Sequence, residues 1–332
     1  MRFYRNLCLT LLLLALAGAL AQAQKSSGYE VSRRITLGGE GGWDYLTLDA
    51  EARRLYVARA TRVLVVDADS GKAVGEIPDT IGVHGVALIH KLGRGITSNG
   101  KDDSATLFDL KTLAPIAKVK TGSKPDALLF DTFSGLVFTF NGKSNDTTLI
   151  DPEKAAAVGT IALPGRPEWG VSDGKGKIFV NLEDKNMIAV IDVAARSVLA
   201  SWPLTGCEEP TGLALDGTNR RLFSGCHNAT LVVMDADSGR VVQTLAIGNG
   251  VDAAAYDKQA GLVFTTNGEG NISVIQQEGP DKYTSLANIA TQKGARTMAL
   301  DAVGHVIYTV ANAAPDASGK PGAFELIVVG KK

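Results

Sequence analysis

The chain has little of the chemistry that enzymes and nucleic-acid readers display. Its 332 residues include only three cysteines, four histidines and three tryptophans, and aromatic residues make up 6%. Lys and Arg number 34 against 35 Asp and Glu, a net charge of −1. That balance gives no electrostatic drive toward a polyanion, whose affinity comes mostly from Lys and Arg. Cys-x-x-Cys-His is missing, so covalent c-type haem is excluded. Neither a nucleophile elbow nor a zinc motif is expected to support hydrolysis. After residue 23 no apolar run is long enough to span a bilayer, and no stretch of helical period appears.

The beginning of the chain is different. Arg2 and Arg5 precede an almost unbroken Leu/Ala run, Leu7–Leu20, and then Ala21-Gln22-Ala23. A basic start, a short apolar run and a small-x-small site predict a secretory signal peptide over residues 1–23, cleaved after Ala23. The alternative is a retained anchor, but the run is shorter than the ~20 residues needed to span. Cleavage would remove Cys8. The expected product is a periplasmic or secreted protein, residues 24–332, forming a single domain without a membrane span.

That remainder is repetitive. Short apolar strands ending in Asp recur at Asp49, Asp131, Asp173, Asp216, Asp257 and Asp301, and His90 is read as filling the gap. A second series closes other strands at Asp67, Asp109, Asp151, Asp192 and Asp235. Turn chemistry follows it, as in Asp69-Ser70-Gly71 and Asp237-Ser238-Gly239. The period is about 42 residues with four strands per unit, the signature of a β-propeller blade. Seven first strands are present, but the seventh unit lacks its fourth. The unassigned segment at about 29–37 is predicted to supply it, closing the ring and leaving no half-finished edge. The fold class is therefore all-β: a seven-bladed propeller of four-stranded blades.

The second strands carry a further pattern. Phe264-Thr265-Thr266-Asn267, Phe138-Thr139-Phe140-Asn141, Ile96-Thr97-Ser98-Asn99 and Tyr56-Val57-Ala58-Arg59 resemble the Tyr-Val-Thr-Asn tetrad of the YVTN-repeat propellers. The chain looks like a member of the YncE-like exported seven-bladed branch. Departures are Arg59 in place of Asn, Gly225-Cys226, and the long Asn312–Ala323 segment. The resemblance implies the fold and export. It carries no catalytic residues across, and some relatives bind single-stranded DNA.

In such a ring, the loops leading into each first strand surround the mouth of the central channel. They carry Trp43, Asp44, His84, Asp126, Glu168, Trp169, Thr211, Asp252 and Arg296, a set whose chemistry differs from blade to blade. Two readings stand: a ligand funnel and structural ring contacts. The carboxylates with His84 could hold a hard cation, although no Asp-rich loop of defined spacing is present. No cofactor is predicted. The Asn-Gly turns at 99, 141 and 267 read as hairpins with positive φ at Asn and Gly. The strand-end aspartates read as turn residues, and His90 and His305 as surface residues.

Cys207 and Cys226 fall on the same side of one blade, which predicts a disulfide in an exported chain. The alternative is a metal site with His227.

Three functions are consistent with the sequence. The first, and the leading expectation, is an envelope binding or scaffold module: a monomer whose varied funnel receives a small molecule or an envelope protein. The second is a periplasmic enzyme, a lactonase-like hydrolase or an oxidoreductase subunit, with His84 as acid–base candidate. Three tryptophans are too few for a quinoprotein propeller with one per blade. The third, single-stranded DNA binding, needs a basic groove that the charge balance does not supply.

Overall fold

A computed structural model describes residues 24–332. The predicted signal peptide lies outside the described residues. The chain forms seven antiparallel sheets arranged as the blades of a β-propeller. Blade 1 is Leu46–Asp49, Arg54–Arg59, Arg62–Asp67 and Ala73–Ile77. Blades 2 to 6 begin at Val83, Pro125, Pro167, Pro210 and Val251. In blade 6 the outer edge is split, with Lys282–Ser285 and Ile289–Ala290 pairing to different parts of Asn271–Gly279.

Blade 7 closes the ring as expected. Met298–Asp301, Val306–Asn312 and Phe324–Lys331 are joined by Tyr29–Thr36, which pairs antiparallel with Phe324–Lys331 from Tyr29 opposite Lys331 to Thr36 opposite Glu325. The two ends of the described chain thus share one sheet, and Phe324–Lys331 is paired on both of its edges.

The core is distributed. Seven hydrophobic clusters lie between neighbouring blades, one to a seam. The first tetrad position anchors them: Tyr56, Ile96, Phe138, Phe179, Phe223, Phe264 and Tyr308 are all buried. The Thr-x-Asn part of the tetrad is equally structural. Asn141 accepts from Thr139 Oγ1 at 3.0 Å and donates to Asp146 at 2.6 Å and Thr148 at 3.0 Å. Asn99 and Asn267 repeat the network. These asparagines are buried strand ends: the hairpins form as expected, but neither the Asn nor the following Gly takes positive φ. Positive φ falls later in the loops, at Asp103, Asn145 and Gly270.

Strand register corrects a second expectation. Ile89 pairs with Arg94 as Asp49 pairs with Arg54, so Ile89, and not His90, fills the vacant Asp position. The other strand-end aspartates cap their turns: Asp49 accepts from Ala52 N–H, Asp131 from Ser134, Asp301 from Gly304. Nor is His305 a plain surface residue. Its Nδ1 lies 2.5 Å from the fully buried Asp257 carboxylate on the neighbouring blade.

Candidate functional site

Counting from the corrected register, seven of the nine candidate residues occupy one repeat position. Asp44, His84, Asp126, Glu168, Thr211, Asp252 and Arg296 each lie five residues before the strand-end position of their blade. Contacts between neighbouring blades run through these loops. Their backbones make the ring contacts: Ser98 Oγ donates to Asp126 O (3.1 Å), Thr211 Oγ1 to Val251 O (2.9 Å) and Thr297 Oγ1 to Asp44 O (2.9 Å). Thr266 Oγ1 donates to Arg296 O. Apart from Thr211, whose own hydroxyl makes one of these bonds, the side chains are thereby held around the mouth without being consumed by the ring.

The tightest group joins the first three blades. His84 Nδ1 lies 2.5 Å from Asp44 Oδ2 and 2.9 Å from Asp126 Oδ1, and Lys124 Nζ lies 3.0 Å from Asp126 Oδ2. Gly100 makes room for the ring, because a Cβ there would stand 2.6 Å from His84 Nε2. Burial opposes a charge on His84, but the two carboxylates outweigh it and raise its pKa to about 10. Burial likewise acts against ionised Asp126. The imidazolium and Lys124 prevail and bring it down to about 2.

The other half of the mouth is less balanced. Asp252 Oδ2 pairs with Arg296 Nε at 2.7 Å, yet burial and the Asp44 charge raise its pKa to about 6. Glu168 has no cationic partner within salt-bridge distance among the described residues. Burial first, then Asp126 and Asp252, hold its carboxyl well above the ordinary range. Between these groups opens a cavity of about 430 Å³, lined by Glu168, Glu183, Asp252, His227 and Arg296 among others.

Two candidates are engaged by the fold itself. Trp43 packs on Phe324 in the seam between blades 7 and 1, with ring centroids 5.4 Å apart. Thr211 is buried, with its hydroxyl committed to Val251 O. One residue that sequence reasoning missed is central. Tyr45, from blade 1, is buried in the cluster between blades 3 and 4 and packs 4.4 Å from Trp169. A signal for it existed. Tyr45 and Trp169 share the repeat position where the other five blades carry Gly85, Ala127, Gly212, Ala253 and Thr297.

Two groups offer three metal-ligand atoms each: Asp44, His84 and Asp126, and Glu183, Glu209 and His227. Cys207 and Cys226 form the predicted disulfide, so they are not free to join His227 as ligands. The expectation of no nucleophile elbow needs correction at the level of sequence. Gly170-Val171-Ser172-Asp173-Gly174 fits Gly-x-Ser-x-Gly. Ser172, however, ends a blade strand with no helix after it, and its hydroxyl donates to Asp131 at 2.5 Å.

No family model matches the sequence, and no curated protein matches it. Solved structures do. One is the Kuenenia stuttgartiensis hydrazine synthase, similar with a TM-score of 0.73 and 15% identity over 88% of this chain and 96% of that one. Another is a chain of a mitotic checkpoint complex, with a TM-score of 0.73 and 15% identity over 97% of this chain and 98% of that one. At such identity the likeness is one of fold: the protein is a seven-bladed β-propeller.

Proposed function

We propose that the protein is an exported binding propeller of the YVTN-repeat, YncE-like type, whose channel mouth receives a positively charged group. The observation that carries this reading is Glu168. It is the mouth carboxylate without a cationic partner, and it faces a cavity that Asp252 and Glu183 also line. A cation entering there offsets the burial and, beyond it, the mutual repulsion that keep Glu168 and Asp252 from ionising at their ordinary pH. Backbone bonds between blades fix the loops beforehand, which reduces the ordering cost of binding. The leader sequence, the disulfide and the absence of a long apolar helix among the described residues are compatible with export.

His84 fits a structural clamp better than an acid–base catalyst, since it stays protonated until about pH 10. Mouth carboxylates also speak against a nucleic-acid backbone as ligand.

Calorimetric titration with calcium, zinc and spermidine tests the proposal at pH 7.5. Binding of at least one of them is expected, weakened tenfold or more in Glu168→Gln. Absence of binding by all three, or equal binding by the variant, overturns it.

A further inference from the structure

Arg59 stands at the tetrad position where blades 2, 3 and 6 bury asparagine. It is 1% exposed, the largest fully buried side chain among the described residues. Its guanidinium lies 3.6 Å over the Phe324 ring, and Nη2 donates to Gly39 O at 2.9 Å. Nε and Nη1 bond no acceptor, and no carboxylate lies within salt-bridge distance. Arg221, the other buried arginine, instead pairs with Asp235 and Asp281. A buried cation left with two unsatisfied donors is costly unless something supplies the missing acceptors.

The segment covering Arg59 is suited to hold such an acceptor. Gly38-Gly39-Glu40-Gly41-Gly42 carries positive φ at Gly38, Gly39 and Gly41. The N–H groups from Gly39 through Trp43 bond no acceptor among the described residues. Gly39 to Gly42 are exposed, and nothing lies within 4 Å of where a Cβ of Gly38 or Gly42 would be. Arg62 adds a second guanidinium beside Gly39, itself paired with Glu76 at 3.3 Å.

We infer that the seam of blades 7 and 1 is an oxyanion site, in which the glycine strap lifts and a carboxylate or phosphate group bonds Arg59 and the strap N–H groups together. The planar guanidinium suits either oxyanion, and consecutive backbone N–H groups form an anion-binding concavity. This site is distinct from the cation-receiving mouth and does not depend on it. The exposed Glu40 carboxylate is the one internal competitor on the strap.

The test titrates phosphate, and in a second arm acetate, into the wild type at constant ionic strength set with chloride. Saturating oxyanion is expected to raise Tm by about 4 °C beyond the chloride control. It is also expected to slow hydrogen exchange of the amides from Gly39 to Trp43. Whichever of the two acts identifies the oxyanion class. Arg59→Met, which keeps the packing on Phe324, is expected to abolish the shift, and Arg59→Lys to weaken binding about tenfold. No shift with either anion, or an equal shift in Arg59→Met, overturns the inference. The exchange measurement uses only the wild type, so it decides the matter even if Arg59→Met does not fold.

Discussion

The hydroxyl of Tyr45 lies 3.4 Å from Glu168 Oε1, although the two residues belong to the first and fourth blades. Tyr45 therefore crosses the channel. Its ring completes the apolar cluster between blades 3 and 4, while its polar end meets the one mouth carboxylate without a cationic partner. One residue of blade 1 thus joins the apolar packing of blades 3 and 4 to the mouth carboxylate.

Truncation and neutralisation at this contact have opposite effects. Tyr45→Ala empties a buried aromatic site and is expected to cost about 3–4 kcal/mol in urea unfolding. Glu168→Gln removes a carboxyl whose ionised form is disfavoured in the fold. Its folded pKa is raised, so the penalty grows as pH climbs above the ordinary range. At pH 8 the Gln variant is expected to be more stable by on the order of 1 kcal/mol. A destabilised Glu168→Gln would show that the carboxylate is satisfied as it stands.

His84 gives the fold a pH dependence of predictable sign. Its pKa rises from 6.5 to about 10 on folding. A raised histidine stabilises fully below pH 6.5, and that contribution disappears as pH rises toward 10. A loss on the order of 3 kcal/mol is expected across this window. His84→Gln should be less stable at pH 6 and should show a flatter profile from pH 6.5 to 10. Parallel profiles for the two proteins would refute the assignment.

Period and composition made the ring legible because six of the seven blades repeat an aromatic tetrad start and a strand-end Asp at a spacing near 42, and blades 2, 3 and 6 add Thr-x-Asn. Closure by the segment near residue 29 followed from counting strands. The candidate residues were legible as one repeat position, and register then placed seven of them there. Their partners were harder to read. Nothing local marks Tyr45 as crossing the channel, because its contact with Trp169 is made over 124 residues of chain. Whether His84 meets Asp44 or Asp126, or both, depends on the ring's diameter, which no spacing encodes. The packing of Trp43 on Phe324 was illegible for a similar reason: the sequence shows the loop position, and the seam takes the side chain.

The disulfide bridges residues 19 apart in sequence and ties Glu208 and Glu209 to the start of the His227 loop. Chain entropy assigns a loop of this size about 3 kcal/mol. The double variant Cys207→Ala, Cys226→Ala is expected to lose that amount, with Tm lower by roughly 6–12 °C. Both cysteines are buried, so the native protein should take up no alkylating reagent, and reduction under denaturing conditions should add two groups by mass. Two reactive thiols before reduction would contradict the bridge.

Ring closure makes the sharpest structural prediction. Phe324–Lys331 has Val306–Asn312 on one side and Tyr29–Thr36 on the other. A chain starting at residue 38 leaves its outer edge unpaired over eight residues, most of them buried in the intact blade. An open apolar edge of that length recruits other strands. The shortened protein is expected to form oligomers by size-exclusion chromatography and to melt at least 10 °C lower, since a whole strand of pairing and part of the seam against blade 6 are lost. A chain starting at residue 28 keeps the strand and should behave as the longer one does. Adding a peptide of residues 28–37 to the shortened protein should restore the monomer, because the same edge can be paired from outside. A monomer of unchanged Tm without the peptide would mean that blade 7 is stable with three strands, and that closure by the first strand is not what holds the ring.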